Sequence, residues 1–382
     1  MAITTLIDYP SVEVVDTTKA TVAATPYGVC IILVTGTTST NDKILTKVSS
    51  AEDFNTKFGS GSPSSKYAKA FFENVSASNV SLYAYKVQVG STAAVVADFT
   101  TALTAIPVTF NPGGIIILPE FFETFTNSAD IIALSTALNT FCNQDDSYWV
   151  SFVDLPLTVT SMTEAVTDRG EFTSAKGCLM VYQPWYFGDS GSTLKLLPSA
   201  ARAASTLSLW SSGRFESVPA GLDEINQIKG CFALGYAVTK ADLQLAHANG
   251  INVIKYFPQY GYVAYDSITL SESTEYYQIN SVVCLRIVLY LIEQELIPFV
   301  NSPIAGNIED LARIEAALNR VLNAAWQSGY LVGQNQADAY SVVSELATLP
   351  PPNNAMLTFE CAIRPSYALQ KIKVYVRNKL GE

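Results

Sequence analysis

Apolar positions along this chain follow two rhythms. Unbroken apolar runs at 28–34, 113–119, 148–155 and 176–182 predict strands buried on both faces. At 79–89, Val80, Leu82 and Ala84 alternate with Ser81, Tyr83 and Tyr85, the period of two of a strand. Between these runs stand helical patterns at 49–58, 64–75, 93–103, 128–142, 161–169 and 198–210. Pro63 and the serines after it suit a helix start, and Pro198 opens a small-residue helix that stops before Gly213. Strand and helix in alternation predict an α/β domain with a mostly parallel sheet over residues 21–227.

A second unit, an α+β C-terminal domain, is expected over 228–364. It holds a helix at 240–249 closed by Gly250, strands at 251–255 and 260–265, and a nearly all-round apolar helix at 273–297 that must be buried. The helix at 307–328 is amphipathic, with Leu311, Ile314, Leu318, Val321 and Ala325 on one face and Gly329 as its stop. Its other face carries Glu309, Asp310, Arg313, Glu315 and Arg320. That face either meets solvent or docks on an inner partner. A strand at 356–364 follows the proline-broken stretch 349–354.

Both ends of the chain read as strands. Ile372, Val374 and Val376 alternate with Lys371, Lys373, Tyr375 and Arg377, giving one apolar and one basic face. Val12, Val14 and Val15 form a shorter pattern just after Pro10. Residues 1–20 and 365–382 are therefore set apart as N- and C-terminal arms. A terminal strand needs a ladder, because its backbone groups are costly when buried unpaired. It can join its own sheet or that of another subunit.

Composition bears on that choice. Charged residues are only 15% of the 382, below the usual ~25%, and there are 20 tyrosines, which suits a surface hidden against other subunits. A large monomer with a generous core fits the same figures. A formal net charge of −11 argues against a nucleic-acid partner. Residues 1–20 carry three acids and one lysine, whereas residues 364–382 carry five bases and one acid, so the two arms can attract each other between subunits. Six scattered cysteines without a C-x-x-C pair read as buried hydrophobes of a reducing compartment. The opening residues have no basic start and no long apolar core, so assembly in the cytoplasm is expected.

Reaction chemistry is sparse. His247 is the only histidine, so a multi-histidine metal site is out of reach; a Ser–His–acid triad is permitted, but no G-x-S-x-G turn accompanies it. Gly59-Ser60-Gly61 lacks the third glycine and the Lys-Ser/Thr of a phosphate loop. Residues 143–146 lack the spaced oxygen ligands of a calcium loop. Glu293 and Glu295 do not share a helix face. No catalytic, cofactor or metal residues are assigned, and no enzyme activity is expected.

The order of segments resembles the tail sheath proteins of contractile phage tails and contractile injection systems. The resemblance runs over nearly the whole chain: Tyr9-Pro10-Ser11-Val12-Glu13-Val14; Val48-Ser49-Ser50-Ala51-Glu52-Asp53-Phe54 with Phe58-Gly59; Tyr67-Ala68 and Phe71-Phe72-Glu73-Asn74. It continues through Phe152-Val153-Asp154-Leu155-Pro156, Val181-Tyr182-Gln183-Pro184-Trp185 and Val218-Pro219-Ala220-Gly221. Asn249-Gly250-Ile251-Asn252-Val253-Ile254 is the most specific piece, followed by Thr269-Leu270 and Gly329-Tyr330-Leu331-Val332-Gly333. The sequence departs from the pattern at Ser267-Ile268, near Ile279-Asn280 and at Phe299-Val300-Asn301.

The resemblance implies a structural subunit, without cofactor or small-molecule substrate, that polymerises into a helical tube around an inner tail tube protein and contracts to drive it forward. It implies a baseplate and a tail terminator as further partners, and a place in a virion tail or injection particle. It also implies that both arms donate strands to neighbouring subunits, which makes Val12, Val14, Val15, Lys371, Ile372, Lys373, Val374, Val376 and Arg377 the inter-subunit residues. The readings from other classes are an α/β hydrolase-like enzyme using the strand ends near Asp154 and Pro184, and a two-dimensional lattice protein.

Overall fold

The computed structural model describes residues 27–35, 41–60, 63–90, 92–106, 113–118, 125, 127–143, 148–155, 159–172, 178–182, 185–187, 195–196, 199–215, 227–235, 238–271, 277–299, 308–345 and 358–366. The first part of the chain forms β1 (Val29–Val34), β2 (Leu45–Val48), α1 (Ala51–Phe58), α2 (Pro63–Asn74), β3 (Ser81–Lys86), α3 (Val96–Ala105) and β4 (Gly114–Ile117). Then come α4 (Ser128–Asn143), β5 (Val150–Asp154), α5 (Met162–Arg169), β6 (Cys178–Tyr182), β7 (Trp185–Phe187), β8 (Lys195–Leu196) and α6 (Ser199–Trp210). The remainder forms β9 (Cys231–Leu234), α7 (Lys240–Ala248), β10 (Ile251–Phe257), β11 (Gly261–Ala264), α8 (Ile279–Leu296), α9 (Ile308–Gln327), α10 (Gln336–Ala339), β12 (Tyr340–Glu345) and β13 (Thr358–Ile363).

Eight strands make one sheet in the order β11-β10-β6-β5-β4-β1-β3-β2. From β10 to β3 every pairing is parallel, and the antiparallel strands β11 and β2 stand at the two edges. The apolar runs are unbroken because both faces are covered. Cys30, Ile32 and Val34 of β1 face a core shared with α1, α2 and α6; Val29, Ile31 and Leu33 face one shared with α3, α4 and α5. All twelve residues of α6 are buried, which its alanines and serines allow by their small size.

Two expectations meet a physical reason here. The helix expected over 273–297 starts only at Ile279, because Ile268 bridges Gln278 and the Thr269 N–H donates to the Tyr277 carbonyl at 2.9 Å. Extended pairing thus occupies the backbone groups just before the helix. Residues 251–264, expected in the second unit, form β10 and β11 of the large sheet, β10 pairing with β6 from Ile251↔Met180 to Val253↔Tyr182. A boundary at 227/228 therefore runs through that sheet.

One helix joins the large sheet to the last third of the chain. Ile279, Val283, Cys284 and Ile287 of α8 pack on the α1/α2/α6 side of the sheet. Val288 and Ile292, further along the same helix, pack with Ile314, Leu318, Leu322 and Ala325 of α9. Of the face read for α9, Ile314, Leu318 and Ala325 are buried and Val321 is partly buried.

Candidate functional site

The last two strands form a sheet of their own. β12 and β13 are antiparallel, in register from Tyr340↔Ile363 through Val342↔Cys361 to Glu345↔Thr358. Alternation sorts their side chains: Tyr340, Val342, Phe359, Cys361 and Ile363 turn toward α8 and α9, whereas Ser341, Val343, Glu360 and Ala362 are exposed. The Tyr340 hydroxyl donates to the Asn319 carbonyl of α9 at 3.2 Å and fixes the sheet to that helix. Asn335 caps α10 immediately before β12, accepting from the Asp338 N–H at 3.1 Å. The Arg364 N–H donates to Ala339 O, and the Val332 N–H to Arg364 O, so the strand ends are tied as well.

Among the described residues no third strand joins either long edge of this pair. A two-stranded ribbon is marginal alone, and an open edge is a template for pairing with another chain. The large sheet differs. At its β2 edge the Lys47 carbonyl accepts from Lys57 Nζ at 2.8 Å. At its β11 edge Gln227 bridges Val263, and the Ile228 N–H donates to Tyr262 O at 2.7 Å.

The expected arm residues, Val12, Val14, Val15, Lys371, Ile372, Lys373, Val374, Val376 and Arg377, lie outside the described residues. The residues adjoining them are well held. Tyr27 is fully buried at φ 51, its ring 5.3 Å from that of Trp210 and 6.0 Å from that of Phe215. The Ser366 N–H donates to the Tyr330 carbonyl, and the Ser366 carbonyl accepts from Ser281 Oγ of α8, both at 2.8 Å. β12 itself was not anticipated, although Val342 and Val343 were visible in the sequence.

The groups that could carry a reaction are otherwise engaged. His247 Nδ1 lies 2.7 Å from Asp266 Oδ2, and the Tyr277 hydroxyl lies 3.1 Å from Nε2. An Nδ1–H donated to Asp266 leaves Nε2 to accept from the phenol. The constellation pins α7 to the two segments that pair at Ile268 and Gln278, and the group on Nε2 is a tyrosine rather than the serine of a triad. Lys86, fully buried, holds Asp42 at 2.6 Å and the Gly90 carbonyl at 2.7 Å. Asp42 stays low because Lys86 and the Gly90 N–H hydrogen-bond its charged form. Arg202 of α6 donates to the Asp266 carbonyl, and burial lowers its pKa to about 9. No cluster of three or more metal-ligating side chains occurs among the described residues, and no helix there is long and apolar enough to cross a membrane.

Asp154, at the carboxyl end of β5, is fully buried. It accepts from the Ser199 N–H at 2.9 Å and from Ser199 Oγ, capping the start of α6. Burial pushes its pKa up to about 8, against the two hydrogen bonds, which favour the charged form. The folded chain therefore keeps a proton that the unfolded chain, with aspartate near about 4, has released. The stability this contributes is complete below about pH 4 and is lost as pH rises through about 8. The melting temperature of the wild-type chain should fall across that window more steeply than that of Asp154→Asn. Parallel pH profiles for the two proteins would contradict the assignment.

No family model matches the chain, and no curated protein matches it. Solved structures do. The helical sheath of the anti-feeding prophage in its contracted state aligns at TM-score 0.71 and 16% identity, covering 99% of this chain and 100% of that one. The contracted sheath complex of an extracellular contractile injection system, PVC, aligns at 0.70 and 16%, covering 99% of each chain. The sheath tail protein of Listeria innocua aligns at 0.59 and 10%, covering 92% of this chain and 97% of that one.

The chain has the sheath-protein fold. The alignments cover nearly the whole chain. The mostly parallel sheet expected from the sequence is present within it.

Proposed function

We propose that this chain is the structural subunit of a contractile sheath, polymerising into a helical tube around an inner tube. The observation that carries the reading is the β12–β13 pair, whose long edges are open among the described residues, in a chain aligned over 99% of its length with a sheath protein. The terminal strands expected at 11–16 and 371–377 are suited to fill those edges in neighbouring subunits by β-augmentation. Such a contact is heterologous, and with a rotation that does not close it propagates as an open helix. The division into two arms, an α/β unit and a C-terminal unit belongs to this proposal, as do the inner tube, the baseplate and the terminator as partners.

The energy of contraction is stored at assembly. The sheath forms extended and metastable, a trigger at the baseplate releases it, and subunits repack while the arms keep the lattice connected. Nucleotide hydrolysis has no role in this scheme. Neither the hydrolase-like nor the flat-lattice reading gains from a specific feature: Asp154 caps a helix, and His247 is held by Asp266 and Tyr277.

Electron microscopy of the purified chain separates the three readings. A sheath subunit forms hollow tubes without ATP. Sheets would favour the lattice reading, and discrete particles with turnover of an ester or amide probe would favour the enzyme.

A further inference from the structure

Six of the ten large apolar side chains that stand exposed among the described residues lie near the two edges of the large sheet. By the β2 edge are Ile44, Val89 and Val95, 56%, 58% and 55% exposed. By the β11 edge are Tyr256, Tyr260 and Tyr265. Both groups sit at the rim where the parallel strands end. Val89 follows β3, and Tyr256 lies beyond Val253, the last residue of β10 that pairs with β6. The edge strands β11 and β2 are seven strand spacings apart, roughly 34 Å along the sheet. Neither group can cover the other within one subunit.

The aliphatic group is held by unfavourable means. Ile44 follows Lys43, whose φ of 55 is left-handed and whose N–H donates to Lys86 O at 3.0 Å. Fully buried Lys86 pairs with Asp42, which also accepts from the Gly90 N–H, beside Val89, at 2.6 Å. The Val95 N–H donates to Asp98 Oδ2 at 3.1 Å, and Lys43 Nζ lies 3.7 Å from Asp98 Oδ1. Backbone strain and a desolvated ion pair thus hold three apolar side chains exposed. The aromatic group projects instead. β10 pairs with β6 only up to Val253, whereas β10 and β11 stay paired to Phe257↔Gly261 at the tip. The rings of Tyr256 and Tyr262 lie 5.0 Å apart, and Lys255 Nζ sits 4.9 and 5.1 Å from the ring centres of Phe257 and Tyr265. Exposed rings of this kind suit an interface.

The two surfaces are complementary. One is aliphatic and the other aromatic. Residues 251–265 carry Lys255 and no acid, whereas residues 92–106 carry Asp98 and no base. We propose that the β10–β11 ribbon of one subunit docks on the Ile44, Val89 and Val95 surface of a second copy, with Lys255 facing Asp98. This rests on the sheath reading above and adds to it a contact between folded bodies that does not involve the chain ends. Unlike surfaces meet, so each subunit gives one such contact and receives one.

The test uses full-length chains beside wild type. Val89→Glu and Tyr256→Glu each put a charge inside the contact. Each should raise the concentration needed for tubes by about tenfold or more, with melting temperature little changed. Sedimentation and electron microscopy read assembly. Bismaleimide cross-linking of assembled Val89→Cys and Tyr256→Cys chains reads proximity. A mixture of the two should give covalent dimers above the wild-type background, and neither chain alone should. Dimers from Val89→Cys alone would mean that like surfaces meet and would overturn the proposal. Wild-type assembly by both charged variants would also overturn it and leave the surfaces to a partner of another kind. So would a mixture without cross-links. In each of these cases tubes still form and the sheath reading stands. A wild-type chain that forms no tubes would overturn both.

Discussion

Removing residues 369–382 leaves a folded subunit that forms no tubes. Among the described residues the cores end at Ile363, and Ser366 is fixed to Tyr330 and Ser281 before the deletion begins. Assembly does need them under the sheath proposal. About five backbone hydrogen bonds, at roughly 0.5–1.5 kcal/mol net each, join about three buried aliphatic side chains at roughly 1.5–3 kcal/mol each. The sum is on the order of 10 kcal/mol per joint before the cost of ordering the arm. If ordering removed half of it, about 5 kcal/mol would remain, between three and four decades in an association constant. Sedimentation and negative-stain microscopy read the outcome. Normal tubes from the shortened chain would show that the basic arm is dispensable.

The second large effect is a single methyl group. Gly114 lies in β4, opposite Val29 of β1, in the middle of the sheet. A Cβ there would stand 2.0 Å from the Val29 carbonyl oxygen and 3.0 Å from Trp149 Cζ3. The obstacle on one side is backbone, held in a parallel ladder, and on the other the ring of a fully buried tryptophan. Gly114→Ala is therefore expected to cost more than about 4 kcal/mol, the range reserved for severe core disruption. Gly90→Ala is the control: its φ of 61 strains a side chain, but nothing lies within 4 Å, so about 1–2 kcal/mol is expected. Urea titrations of both variants decide, and similar losses at the two positions would contradict the close approach at Gly114.

Much of the large sheet was legible because its signals are local. β1 is six consecutive apolar residues, and Pro198 marks the start of α6 one residue early. α9 carries its own 3.6-residue period. What escaped was set by partners remote in sequence. β12 sets two adjacent valines between Ser341 and Ser344 in six residues, too short and too polar to stand out, and is recognisable only through its register with β13. β10 resembles half of an independent hairpin until its pairing with β6, some 70 residues earlier, is known. The start of α8 was misplaced because pairing between 268 and 278 is invisible to periodicity.

The site was legible in a different sense. The expectation that the chain ends act as strands concerned residues outside the described ones. The structure contributed a pair of strands that is open among the described residues and whose outward residues are Ser341, Val343, Glu360 and Ala362. The lone histidine has no G-x-S-x-G turn to accompany it in the sequence, and its bonds to Asp266 and Tyr277 join three segments of the fold. Nothing in the sequence pointed to the bond from Ser281 to Ser366 or to those from Arg286 to the Trp149 and Cys142 carbonyls, because they depend on where α8 lies.

The most direct measurement is a cryo-EM map of tubes assembled from the full-length chain, with the backbone traced through residues 11–16 and 371–377. The expected result is that these segments are hydrogen-bonded to the free edges of β12 and β13 in other subunits. Both ends paired only within their own chain, with β12–β13 left open between neighbours, would contradict it.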